Sequence, residues 1–149
     1  MQWVVVNNKI SSPTNVELGV PQGSVLGPLI FLLTIESIND LNLEGNLGLF
    51  ADDTREGMAV KSVDDAWKVQ LDLDVIGRWS DSNNMKFNSG KFECLKSGFN
   101  SDLKLEYVYI TPDQEHCIET KEHIKDLGIW MSGSGDFSFH MSKVISKVK

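Results

Sequence analysis

The spacing of apolar positions changes several times along the chain, and each change predicts an element. Trp3-Val4-Val5-Val6 is an aromatic-led, β-branched run, Asn7-Asn8 supplies turn residues, and Ile10 begins a return strand that Ser11-Ser12-Pro13 interrupts. A hairpin is expected there. The glycines and proline of Gly19-Val20-Pro21-Gln22-Gly23-Ser24 stop regular structure. After them Val25, Leu26, Leu29, Ile30, Leu32, Leu33 and Ile35 recur at spacings of three and four. That period predicts a buried helix needing partners on more than one side, with Pro28 in its first turn.

Leu47 to Phe50 reads as a short strand, Ala51-Asp52-Asp53-Thr54 as a tight turn with both carboxylates facing solvent, and Met58-Ala59-Val60 as the returning strand. Ser62 opens a helix in a capping arrangement with Asp65. Ala66, Val69, Leu73 and Ile76 form its apolar face, ending near Trp79, and Lys68, Asp72 and Arg78 are assigned to a solvated face. Beyond the polar break Asp81 to Asn84, strand-like pieces recur at Met85-Phe87, Phe92-Leu95, Leu103-Ile110 and Leu127-Trp130. At the end Phe137, Met141, Val144, Ile145 and Val148 share one helical face. In outline the order is β-β-α-β-β-α-β-β and a terminal helix, an α+β fold with helices packed on one face of an antiparallel sheet.

Composition narrows this picture. At 149 residues, 41% of them hydrophobic, the chain has the size and apolar content of one small domain, and no low-complexity tract interrupts it. Its longest apolar run, Leu29 to Leu33, is too short for a membrane span, and Met1-Gln2-Trp3 lacks the basic head of a signal peptide. An intracellular location, nuclear or cytoplasmic, and no membrane partner are expected. Cys94 and Cys117 form no metal-ligand pattern and read as two buried reduced thiols. A net charge of −7 argues against a surface that grips nucleic acid throughout. The charge is uneven: residues 1–60 carry Lys9 and Arg55 against seven acids, whereas residues 137–149 carry three lysines and no acid.

Asp52 and Asp53 carry the candidate chemistry. Adjacent carboxylates repel unless a cation or proton lies between them, and Mg²⁺ favours oxygen ligands while keeping positions open for substrate phosphates. Asp is also common in turns because it caps local backbone groups, so the pair alone leaves a structural role open.

The pair has company in a fixed order: Gly19-Val20-Pro21-Gln22-Gly23-Ser24-Val25-Leu26-Gly27-Pro28, a helix running to Ile38-Asn39-Asp40-Leu41, then Leu49-Phe50-Ala51-Asp52-Asp53-Thr54. This set resembles the palm of reverse transcriptases of the non-LTR retrotransposon type. Trp79 with Met85-Lys86-Phe87-Asn88 and Lys91 resembles the family's next block. Asp126-Leu127-Gly128-Ile129, with Phe137-Ser138-Phe139-His140 behind it, is similar to its turn into the thumb. The similarity spans essentially the whole chain.

The resemblance implies RNA-templated DNA synthesis. Asp52 and Asp53 would hold catalytic Mg²⁺, with Mn²⁺ as an alternative, and Phe50 would pack behind them. Gln22 and Gly23 would lie against the incoming nucleotide and nascent base pair, and Lys91 would neutralise or protonate the leaving pyrophosphate. RNA template, DNA primer and dNTP are the implied partners. Residues 1–97 would form part of the palm, and residues 98–149 the palm-to-thumb strands and first helix of a truncated thumb.

Departures from the family pattern matter as much. No aspartate precedes Gly19, where the family places a further catalytic acid, and Glu17 is too near the loop to replace it. The upstream palm and fingers segment is expected to be missing, so the isolated chain is expected to be inactive. Glu56-Gly57 replaces residues that are usually apolar, which predicts a weakened hairpin. The competing readings are a non-catalytic remnant serving as a structural or protein-binding module, and an unrelated acidic α+β domain.

Overall fold

The computed structural model describes residues 1–15, 19, 23–98, 106–111 and 114–148. Its architecture is α+β, with three α-helices and several small sheets. The chain divides into two compact units, Met1–Asp40 and Leu41–Lys149. Among the described residues no helix is long and apolar enough to cross a membrane.

In the first unit, β1 (Val5–Val6) and β2 (Lys9–Ile10) form the expected hairpin, with Val5 opposite Ile10. Asn7 and Asn8 occupy the left-handed region, at φ +49° and +59°, as a two-residue hairpin loop of this hand requires. Helix α1 (Gly27–Glu36) follows, with Pro28 in its first turn as expected, and the Gly27 amide donates to Ser24 Oγ over 2.9 Å. A short 3₁₀ turn, Ser37–Asp40, continues it and contains the fully buried Ile38. The expectation of a buried helix is corrected: Leu29, Ile30, Leu32 and Leu33 are all exposed, and within α1 only Gly27 and Ile35 are buried. The sequence is apolar around the helix, but the described chain covers only part of that surface.

The second unit begins with β3 (Asn46–Phe50) and β4 (Asp53–Gly57), paired antiparallel from Asn46–Gly57 to Phe50–Asp53. The return strand therefore starts at Asp53 itself, and Met58-Ala59-Val60, expected to form it, lies outside any strand. The register runs through Glu56-Gly57, where a weakened hairpin is expected. Both residues pair, opposite Leu47 and Asn46.

Helix α2 (Val63–Ser82) is capped as its sequence predicts, with Ser62 Oγ accepting from the Asp65 amide and donating to Asp65 Oδ2. Ala66, Ile76 and Trp79 are buried, and Val69 and Leu73 pack on the core. That core is Tyr107, Tyr109 and Ile118, flanked by Phe87, Phe92 and Cys94. Phe92 stacks on Tyr109 with ring centroids 4.6 Å apart, and Phe87 meets both rings edge-on.

Strands β5 (Glu93–Leu95), β6 (Tyr107–Ile110) and β7 (Glu115–Lys121) make a three-stranded sheet in the order β5-β7-β6. β5 pairs parallel with β7, so the expected single antiparallel sheet is instead a set of small sheets, one of them mixed. Met85-Phe87, read as strand-like, has no strand partner, although Phe87 still reaches the core. Residues 103–105 of the expected Leu103–Ile110 strand lie outside the described residues. Of the two thiols, Cys94 is half-buried and Cys117 is exposed, which corrects the expectation that both are buried.

The last hairpin joins β8 (His123–Asp126) to β9 (Ile129–Ser132) through Leu127 and Gly128, at φ +45° and +89°. Leu127-Gly128 is thus the turn and not the start of a strand. Helix α3 (Ser138–Val148) opens with Asp136 accepting from the Ser138 amide and hydroxyl. It docks on the hairpin through Phe139, stacked on His123 at 3.9 Å, and through His140, whose Nδ1 accepts from the Trp130 amide. The side chains of Phe137, Met141, Val144 and Ile145, the expected apolar stripe, are exposed.

Candidate active site

Hairpin β3–β4 presents its acids at the tip. Only Ala51 and Asp52 lie between the paired residues Phe50 and Asp53, so Asp52 is a loop residue and Asp53 the first residue of the return strand. Ala51 sits at φ +52°, where a Cβ costs about 1–2 kcal/mol. That strain fixes the tip in a conformation most side chains avoid. Asp52 and Asp53 are both exposed, as expected, and among the described residues neither carboxylate has a hydrogen-bond or ion-pair partner. Neither is spent on capping the turn.

Phe50 is 60% exposed, so the expectation that it packs behind the acids is corrected. A residue at the last strand position before a two-residue loop has little of the molecule beside it to pack on. Lys91 closes a 3₁₀ turn, Ser89–Lys91, whose Gly90 amide donates to Asn88 Oδ1. The Lys91 side chain is exposed and makes no ion pair with either aspartate. Gly23 belongs to the first unit and adopts φ +79° just before α1, a conformation that favours glycine. Gln22 lies outside the described residues. Phe50, Asp52 and Asp53 are therefore brought together on one hairpin, with Lys91 on a separate turn of the same unit.

Arg55 extends from the same strand as Asp53, two residues on and therefore on the same face, and pairs with Asp126 of β8. This contact ties the acid-bearing hairpin to the β8–β9 hairpin.

The opposite face of β4 holds a feature that the sequence reading missed. Thr54 and Glu56 point inward, and Thr54 Oγ1 and Glu56 Oε1 are buried with no hydrogen-bond partner among the described residues. Asp72, assigned above to a solvated face, is only 3% exposed. Its carboxylate accepts from the Glu44 amide at 3.1 Å and the Gly45 amide at 2.8 Å. Burial, and then the Asp72 carboxylate, push Glu56 up to about 7. The signal for Asp72 was present: at 100° per residue it falls between Ile76 and Trp79 on the helix. Both of those residues are buried.

Asp52 and Asp53 are thus two adjacent carboxylates at a hairpin tip, without a partner among the described residues. The sequence profile described as reverse transcriptase (RNA-dependent DNA polymerase) matches residues 1–131, and the chain belongs to that family. Comparison with curated proteins and with solved structures returned no match.

Proposed function

We propose that the chain is the palm-forming part of a non-LTR retrotransposon reverse transcriptase. On this reading residues 1–97 supply part of the palm, and residues 98–149 the strands and first helix leading to the thumb. The parent enzyme extends a DNA primer on an RNA template with deoxynucleoside triphosphates. The observation that carries the proposal is the exposed Asp52–Asp53 pair, whose oxygens are used for nothing else among the described residues.

This donor set fits Mg²⁺, a hard ion that binds through one or two carboxylates and keeps its remaining positions for water and phosphate oxygens. Mn²⁺ suits the same ligands. When bound, the ion supplies Lewis-acid stabilisation of charge on phosphoryl oxygens. Asp52 and Asp53 would hold it, placed by the hairpin register at the tip beside Ala51. Exposed Phe50 offers an apolar face beside the acids for a base or sugar of the primer–template. The resemblance would give Gln22 and Gly23 a role against the incoming nucleotide, where a glycine permits close backbone approach. Lys91 answers the negative charge that develops on the leaving pyrophosphate.

Among the described residues no group of three His, Cys, Asp or Glu side chains is arranged to hold a metal. On this reading the two aspartates act with a carboxylate from outside the described residues, and the chain alone binds Mg²⁺ or Mn²⁺ at about millimolar concentration. Calorimetric titration of the chain with each ion should show this weak binding, reduced further by Asp52→Asn with Asp53→Asn. Heats identical in the wild-type and doubly substituted chains would place metal binding elsewhere and remove the basis of the proposal.

A further inference from the structure

Hairpin β3–β4 meets helix α2 through two carboxylates and a glycine. A methyl group built on Gly45 would lie 2.0 Å from Glu56 Oε1 and 3.2 Å from Asp72 Oδ2. The two oxygens therefore converge on the same side of one backbone position, no more than about 5 Å apart. Asp72 has its charge answered by the Glu44 and Gly45 amides. Glu56 Oε1 is shielded from water with no donor aimed at it, an arrangement that a neutral carboxyl tolerates and an anion does not.

The charged and titratable groups around Glu56 offer it no compensation. From α2 come Asp72, which repels it, and Lys68, whose ammonium is turned to Glu44 and Asp65 at 3.9 and 3.8 Å. From its own strand, Arg55 is turned to Asp126. From the three-stranded sheet come the Cys94 thiol and the Tyr107 hydroxyl, both pushed up chiefly by burial and further by Glu56; Lys96 acts on Cys94 in the opposite sense.

We propose that the Glu56–Asp72 contact is a proton-operated clasp between hairpin β3–β4 and helix α2, closed while the Glu56 carboxyl is protonated and loosened when it ionises. Ionisation puts a second anion beside Asp72 with its Oε1 shielded from water, and the hairpin relieves the repulsion by moving Glu56 toward solvent. The acid-bearing tip is the other end of the same hairpin, so the clasp governs how firmly Asp52 and Asp53 are held. The inference rests on the convergence of the Glu56 and Asp72 oxygens at Gly45 and stands whether or not the aspartates bind metal.

The sign follows from linkage. A carboxyl whose value in the folded chain is raised stabilises the closed state at low pH, and that stabilisation is lost as pH rises from the ordinary glutamate value of 4.5 through about 7. Two measurements on the full chain test it. A ¹³C-detected titration of the Glu56 carboxyl should have its midpoint near neutrality; a midpoint in the ordinary glutamate range overturns the clasp. Hydrogen exchange, corrected for its intrinsic pH dependence, should show β3–β4 amide protection falling about tenfold or more between about pH 5.5 and about pH 8. In Glu56→Gln, which mimics the protonated acid, that fall should vanish, and the same fall in both chains would overturn the proposal. The carboxyl titration needs no variant, so it decides the question even where Glu56→Gln folds poorly.

Discussion

The space a Cβ on Gly45 would take is occupied by the end of the Glu56 side chain, with Oε1 2.0 Å away. Gly45→Ala must push that flexible end aside, and should cost no more than about 1 kcal/mol in urea denaturation. The cost should shrink when Glu56 is also truncated to Ala, since the clash partner is then gone. Equal costs in both backgrounds would mean that the backbone at Gly45, not the contact, is what matters. At this scale the sequence was legible where the rule is local. Ser62 and Asp65 announced a cap, and Asp52 and Asp53 announced an exposed tip. It was illegible where a polar residue serves a distant backbone. Asp72 reads as solvated by its charge alone, yet its partners are Glu44 and Gly45, more than a turn of any element away.

Helix α2 also seals the open edge of the three-stranded sheet. β6 lies at that edge, and the Gln70 amide grips it from both sides, donating to the Val108 carbonyl at 2.9 Å and accepting from the Val108 amide at 3.0 Å. A side-chain amide thus takes the place of a neighbouring strand at one residue. Gln70→Leu keeps the size but leaves both backbone groups without these partners. It should cost about 1–3 kcal/mol and lower amide protection at Val108. A variant as stable as the wild type, with Val108 still protected, would show that the grip contributes nothing. Elements with a clear local signal were readable, including α2 and the β1–β2 hairpin, whereas the return strand β4 was placed too late in the chain. β7 was not readable: its only buried side chain is Ile118, and its place at the centre of the sheet comes from backbone pairing on both sides. In α3 the apolar stripe was read correctly as a stripe. What docks is Phe139 and His140, because the β8–β9 hairpin offers them His123 and Trp130.

Across the whole molecule, the α+β class and the reverse transcriptase family were both legible in the sequence, because ordered blocks around Gly23, Asp52–Asp53, Lys91 and Gly128 survive any error in individual strands. The division at Asp40 was not legible, since no linker composition marks it. Large apolar side chains are exposed on α1 and along α3. On the function proposed above, the Asp52–Asp53 hairpin would belong to the metal centre of an RNA-templated DNA polymerase and would need a further carboxylate to complete it. Primer extension on an RNA template with Mg²⁺ tests it most directly, comparing the purified chain with the chain fused to an upstream palm and fingers segment of the same family. No incorporation is expected from the chain alone, template-dependent incorporation from the fusion, and loss of that activity in Asp52→Asn. Incorporation by the isolated chain, or a fusion whose activity survives Asp52→Asn, would contradict the proposed function.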